Sequence, residues 1–470
     1  MNYLRHSLIG KVHRLRAALL PVIAVGIAAP CLYGQVSPVN DSQTSVLSNL
    51  DQSTMYPIQT EMAETSNLNR LNENADTSRY TDNPFRHGPF YFSVEALGVW
   101  TTNLQNAYSN EPYSSGEYFR LGAPVGLHLT NERTDFNGFF RVDSSMYPGY
   151  NNLTHTSEVY SHQLVHQFSD ITTSSWSLAG GHIETLGQYL SPVVTVGSAG
   201  VVAPQQTSGL QSTDDAATTY TLAHQMSERD TLTASGTAGW LDQPVVNASG
   251  ARLTTYREIT GGGAAQWQHA LNTRETVGAE VTNVYVHGLT PTGDSNFTAA
   301  KFTFSQTLTP HSFVSGGVGP LYAHSAVTGT TTQSYVSYAA NVDYTNQTRF
   351  GRINGGYSRL YAVGYLAPAS VGNYLYLNFD RPLSPMFHLT ADTLYLRTAL
   401  PEQQTSGVYS QVGFTTRLDV HLTRYLEYQI EGDVFNQDAT SLLPGYSYDN
   451  VATGFTFYFG NIETAEGVQP

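Results

Sequence analysis

The stretch HLTRYLEYQIEGDVF, His421–Phe435, decides how the rest of the chain is read. After a short polar knot, Leu426, Tyr428, Ile430, Gly432 and Val434 alternate with Glu427, Gln429, Glu431 and Asp433. A period of two puts the first set on one face of a β-strand and the second on the other. A soluble sandwich can use one such strand as an outer wall. A chain that repeats the device many times needs another explanation.

The device recurs. Val408, Val412, Phe414, Leu418, Val420 and Leu422 oppose Tyr409, Gln411, Thr415, Arg417, Asp419 and His421. Leu375, Leu377 and Phe379 oppose Tyr374, Tyr376, Asn378 and Asp380, and Val336, Tyr338, Ala340 and Val342 oppose Tyr335, Ser337, Asn341 and Asp343. Phe119, Leu121, Ala123, Val125, Leu127 and Leu129 oppose Arg120, His128 and Thr130. These strands run to about ten to fourteen residues, against about five or six in soluble proteins and about nine to eleven for a tilted strand that crosses a bilayer.

Short polar turns separate the strands: 131–134, 169–172, 227–230, 272–275, 309–311, 346–349, 384–386 and 423–425. Their spacings are 38, 58, 45, 37, 37, 38 and 39 residues, the 58 holding an extra loop over Leu190–Ser212. Longer Gly/Pro/Asn/Ser stretches join the other strand ends. Short turns at one end and long loops at the other are the pattern of a transmembrane barrel. Eight turns give sixteen strands. One more before them (Phe90–Thr102) and one after (Tyr448–Phe459) make about eighteen, within a range of sixteen to twenty.

Aromatic residues recur at a fixed distance past the turns: Trp240, Tyr285, Tyr322, Tyr361, Tyr395 and Phe435 stand 10, 10, 11, 12, 9 and 10 residues on. Ten residues of tilted strand rise roughly 25 Å, about the height of a barrel's apolar band, where aromatic girdles belong. Phe435 falls on the acidic face and needs a bulge to join that girdle.

With these features the chain resembles bacterial outer-membrane β-barrels of the porin-like type over about residues 88–460. The resemblance implies an all-β, up-and-down antiparallel barrel in a Gram-negative-type outer membrane. It also implies lipid and the barrel-assembly machinery as partners, and both chain ends on the periplasmic side. Such proteins often end on an aromatic assembly signal; here Phe459 is followed by a tail, 460–470.

The N-terminus fits export. Residues 1–35 carry Arg5, Lys11, Arg14 and Arg16, no acid, and an apolar run Ala17–Ala29, the composition of a cleaved signal peptide. Removing it leaves 18 Lys+Arg against 37 Asp+Glu, a net charge of −19, which excludes nucleic acid as a partner. Cys31 is the lone cysteine and would leave with the signal. Residues 36–87 are polar and unpatterned, a periplasmic linker or a plug.

If the polar faces point inward, the lumen is lined by Glu427, Glu431, Asp433, Asp419, Arg417, Asp380, Asp343 and Arg120. Acids outnumber bases there, and a cation-preferring channel for small solutes or ions follows. The alternatives are a plugged surface-interaction barrel and a component for polysaccharide export. A secreted propeller fits the spacing but needs four short strands per repeat.

No catalytic constellation emerges. GGYSR (355–359) lacks the last glycine of a nucleophile elbow. His162 and His166 lie four apart on a strand, about 13 Å, too far for one metal. No cofactor or metal site is expected, and the oligomeric state is left open.

Overall fold

The computed structural model describes residues 90–459, apart from 103–114, 151–153, parts of 187–209, 247–251, 291, 328–332, 349–350, 365–366, 385, 400–408, 424 and 439–445. The expected signal peptide, the 36–87 segment and the 460–470 tail lie outside the described residues, as does the side chain of Tyr361.

Among the described residues twenty-two strands follow one another: β1 (Phe90–Thr101), β2 (Gly116–Thr130), β3 (Thr134–Met146), β4 (His155–Ser169), β5 (Thr172–Leu186), β6 (Tyr189–Leu190), β7 (Val194–Val196), β8 (Ala199–Val201), β9 (Pro204–Gln205), β10 (Leu210–Gln225) and β11 (Asp230–Val246). The second half holds β12 (Arg252–Ala270), β13 (Glu275–Thr290), β14 (Thr292–Thr309), β15 (Ser312–Val327), β16 (Gln333–Thr348), β17 (Gly351–Gly364), β18 (Ala367–Ser384), β19 (Phe387–Ala399), β20 (Tyr409–Thr423), β21 (Leu426–Gln437) and β22 (Tyr446–Phe459). Eighteen of them form one antiparallel sheet in chain order. The sheet closes where β1 pairs with β22, from Phe92↔Phe459 to Thr101↔Asn450. A propeller is thereby excluded, and the expected strand number is met, as are seven of the eight turn positions; the turn expected at 346–349 falls later, since β16 runs to Thr348 and β17 starts at Gly351.

The turns explain themselves chemically. Six open on Asn, Ser or Thr whose side-chain oxygen accepts a hydrogen bond from the amide two residues on: Arg133 to Asn131, Arg229 to Ser227, Arg274 to Asn272, His311 to Thr309, Met386 to Ser384 and Tyr425 to Thr423, at 2.8–3.2 Å. This side-chain mimic of a backbone turn reverses the strand within a few residues. In one turn Ser227 also donates to Asp230 at 2.7 Å, and that bond, with His269, holds the Asp230 carboxyl below the usual carboxylate range. Gly351, at φ 127°, starts β17 where a Cβ would lie 2.3 Å from the Asp380 carbonyl oxygen, so only glycine fits.

One face of the sheet carries exposed apolar side chains on strand after strand, among them Trp176, Tyr220, Leu232, Ile259, Val281, Phe302, Val318, Leu375, Ile430 and Phe455. On the other face the charged side chains are buried. A closed barrel with this arrangement keeps its polar face inside and offers a continuous apolar belt outside, far larger than the patches soluble monomers tolerate. Trp240, Tyr285, Tyr322 and Tyr395 all stand exposed on the outer face. Phe435 does not. The β20–β21 ladder runs without a bulge from Glu427 to Gln437, so strict alternation keeps Phe435 on the inner side with Glu431 and Asp433, 3% exposed. At the closing seam Phe92 and Phe459 meet with ring centroids 5.5 Å apart.

Within the β5–β10 connection, β6 pairs with β9 and β7 with β8. β7 lies against β11, β12 and β13, and β8 against β17. The small hairpin therefore bridges separate arcs of the wall.

Candidate functional site in the barrel interior

Alternation and register together bring the inner-face charges of seven strands into one network. β1 supplies Glu95, β2 Arg120, β3 Arg141 and Asp143, β20 Arg417 and Asp419, and β21 Glu427, Gln429, Glu431 and Asp433. The Arg141 guanidinium donates from Nη2 to Glu95 Oε2 at 2.9 Å and from Nε to Asp143 Oδ2 at 2.6 Å. Gln429 Nε2 reaches across β22 to Glu95 Oε1 at 2.5 Å. Arg417 pairs with Asp419 and, at 3.2 Å, with Glu427, which also takes His421 at 3.0 Å and the Tyr458 hydroxyl at 3.1 Å. Arg120 stands 3.6 Å from Glu431 and 3.9 Å from Glu95. His388, on β19, joins Asp380 at 2.8 Å and approaches Asp419 at 3.9 Å.

Little water reaches the centre of this network, while His421 at its edge is exposed. Gln429 is 0% and Glu431 1% exposed, and the three arginines are buried as well. Burying a charge costs several kcal/mol unless partners return the loss, so the interlocking geometry is a condition of the fold. Backbone space is part of that geometry. A Cβ on Gly122 would lie 2.8 Å from Asp143 Oδ1 and 2.9 Å from Arg141 Nη2. G122V is therefore expected to displace the Arg141–Asp143 pair and cost about 1–3 kcal/mol as overpacking does, seen as a lower urea midpoint of the folded barrel. An unchanged midpoint would mean that the network is not packed as described.

A second, smaller cluster lies on strands further round. Lys301 pairs with Glu280 at 2.9 Å, and Thr282 donates to Glu280 at 2.8 Å. Asp343 accepts from Tyr376 at 2.7 Å and from Asn341 at 3.3 Å. Gly356 leaves room for this contact, since its Cβ would meet Tyr376 at 2.4 Å and Asp343 at 2.5 Å. Toward the long-loop end the inner face turns apolar: Leu97, Val99 and Ala452 cluster together, and Val284, Val286, Phe297, Leu321 and Ala323 are buried on β13–β15.

All eight inner-face residues named from the sequence lie on the inner face. Seven join the main network and its His388–Asp380 extension, and Asp343 stands apart. Gln429 shares the polar face that the sequence shows for β21, whereas Glu95, Arg141, Asp143 and Lys301 are not among the inner-face residues read from the sequence. For Arg141 and Asp143 the signal was present in FFRVDSSM, where polar residues recur every second position. For Glu95 it was hidden, because Leu97 and Val99 continue its face with apolar side chains.

His162 and His166 sit on the outer face of β4. His162 packs edge-on to Trp176 with centroids 4.8 Å apart, and His166 pairs with Thr134 at 2.9 Å. Among the described residues no group of three or more His, Cys, Asp or Glu is arranged to hold a metal ion.

No protein-family model and no curated protein sequence matches the chain. Solved structures resemble it in shape. The FrpB iron transporter of Neisseria meningitidis, F3-3 variant, is 10% identical over 75% of this chain at a TM-score of 0.41, and the chain spans 63% of its length. The F5-1 variant is 9% identical, covering 81% of this chain and 84% of its own, at 0.43. The siderophore receptor PirA of Acinetobacter baumannii is 8% identical over 79% of this chain and 81% of its own, at 0.40. Likeness this low carries no function across. The chain's own closed ring of eighteen long antiparallel strands, apolar outside and charged within, is the architecture of an outer-membrane β-barrel protein.

Proposed function

We propose that the chain resides in the outer membrane as a barrel with a filled, charge-locked interior. It works as a plugged barrel whose outer loops meet the ligand, and not as a passive porin. One observation carries this reading. Eighteen strands leave a lumen wide enough for water unless something fills it. Yet inner-face side chains at both levels, Gln429 and Glu431 in the ion network and Val284 and Ala323 in the apolar layer, are at most 1% exposed. Water in an open lumen would touch them. The bridging position of the β7–β8 hairpin supports the same reading. The fixed ion pairs then serve to hold the wall in register, and the acid excess on the inner face is a structural charge before it is a selectivity filter.

Planar-bilayer recording of the purified, folded barrel tests this. The wild type is expected to show no steady conductance, and a variant lacking residues 187–209 to show discrete steps. Steady, cation-selective steps from the wild type would return the passive-channel reading.

A further inference from the structure

We propose that the outer wall carries a docking site for one membrane lipid with a phosphate headgroup, built by Arg359, Asn373 and Arg397 at the long-loop end of β17, β18 and β19. The inference rests on the outer face being the lipid face and not on whether the lumen is filled. Ile353, Leu375 and Tyr395 are exposed on the outer face, and alternation puts Arg359, Asn373 and Arg397 on that face with them. The register sets the three in one transverse row: Arg359 opposes Asn373, and Asn373 opposes Arg397. The row beneath, two residues down each strand, is Tyr357, Leu375 and Tyr395. A row of donors thus caps an aromatic and aliphatic row on the same three strands.

Two observations point to an anion. The first is charge. Arginine on a lipid-facing wall is costly unless it reaches the headgroups or finds a counter-charge. Arg257, an outer-face arginine on β12, has its counter-charge in Asp242 at 2.7 Å. Among the described residues no carboxylate pairs with Arg359 or Arg397. Arg359 lies over the Tyr338 ring, 4.3 Å from its centroid, and donates from Nη1 to the neutral Asn373 Oδ1 at 3.0 Å. Its Nε is buried without an acceptor. Arg397 is exposed and makes no hydrogen bond or ion pair among the described residues. Asp438, the acid just past the end of β21, takes the Ser410 hydroxyl.

The second is the donor set. Asn373 Oδ1 also accepts from the Tyr357 hydroxyl at 2.9 Å. The two bonds orient the amide and leave its NH2 without an acceptor among the described residues. The same bond draws Arg359 toward β18, and Arg397 stands opposite Asn373 on the other side of β18. The two flanking strands lie roughly 10 Å apart, a span that two arginine side chains bridge through one phosphate, each with paired N–H groups. The Tyr357, Leu375 and Tyr395 row favours a lipid over a soluble anion, because it offers apolar wall to acyl chains directly below the headgroup.

The test uses the full-length barrel, folded in detergent and offered equal amounts of phosphatidic acid and phosphatidylcholine, with native mass spectrometry counting the lipid retained. Wild type is expected to hold about one phosphatidic acid per barrel with roughly tenfold preference, the scale of two arginines near an anionic headgroup. R397Q and R359Q/R397Q are expected to lose most of that preference while still binding phosphatidylcholine, and R257Q to keep it. R397Q breaks no contact among the described residues, so its fold is preserved, and heat-dependent gel mobility checks this. Excess inorganic phosphate, which has no tail, is expected not to displace the lipid. No preference in wild type, preference kept in both R397Q and the double variant, equal loss in R257Q, or displacement by inorganic phosphate would each overturn the proposal. A barrel that retains neither lipid would overturn the membrane reading beneath it, and the proposal with it.

Discussion

R141M is expected to destabilise the folded barrel by about 3–5 kcal/mol, the cost of breaking a buried ion pair by removing one partner. Arg141 is 3% exposed and forks between Glu95 on β1 and Asp143 on its own strand. Methionine fills much of the volume but leaves two carboxylates without their guanidinium in a place water does not reach. The loss comes from those stranded charges and not from the contact itself. Hence R141M/D143L is expected to lose less than the sum of the two single variants, since the double change strands only Glu95, which keeps Gln429 at 2.5 Å and Arg120 at 3.9 Å. Urea unfolding in lipid vesicles measures all three. A strictly additive double variant would mean that Arg141 and Asp143 act independently. A single variant that costs under about 1 kcal/mol, the range of an exposed pair, would mean that the interior is wet, and the plugged reading would fall with it.

The sequence carried the barrel because three separate signals agreed. Alternation set the faces, Asn, Ser and Thr at turn starts set the reversals, and the spacing of about 38 residues set the pairing of neighbours. Each is local, and a barrel of consecutive hairpins is assembled from local pairings up to its one closing seam, β1 with β22. The site was legible only as a face. Arg417, Glu427 and Glu431 read as inner residues, but a pattern along one strand cannot say that Arg141 on β3 and Gln429 on β21 both reach Glu95. The Gln429 half of that meeting depends on closure: β3 lies one strand from β1 through β2, but β21 becomes a near neighbour of β1 only once β22 pairs with it. Phe435 marks the opposite error. Its distance from the turn fits a girdle, but spacing gives height and not side, and parity in an unbroken ladder decides the side. The filled interior was illegible for a physical reason too: the alternation of an open pore and of a plugged one is the same, and only packing distinguishes them.

V281R is expected to cost about 2–4 kcal/mol, the range for an arginine at the lipid-facing midplane of a barrel, whereas L289R, nearer the outer surface, is expected to cost about 0–1 kcal/mol. Both side chains project from the outer face of β13, exposed on either side of Tyr285. Val281 faces Ala265 on one neighbour and Ala300 on the other, an apolar surround with no acceptor for a guanidinium. Four residues up the strand Tyr285 begins the girdle, and beyond it His287 pairs with Asp294 at 2.7 Å, the kind of exposed charge that belongs at the headgroup level. An arginine at 289 can join that layer; one at 281 must thin the bilayer or drag its hydration inward. The adjacent residue sharpens the contrast, since Glu280 turns to the inner face and carries its charge against Lys301 at 2.9 Å. One step along the strand thus separates a position where charge is required from one where it is forbidden. Equal costs at 281 and 289 in vesicle unfolding would remove the boundary that Tyr285 is taken to mark. Two negligible costs would remove the lipid from the outer face altogether.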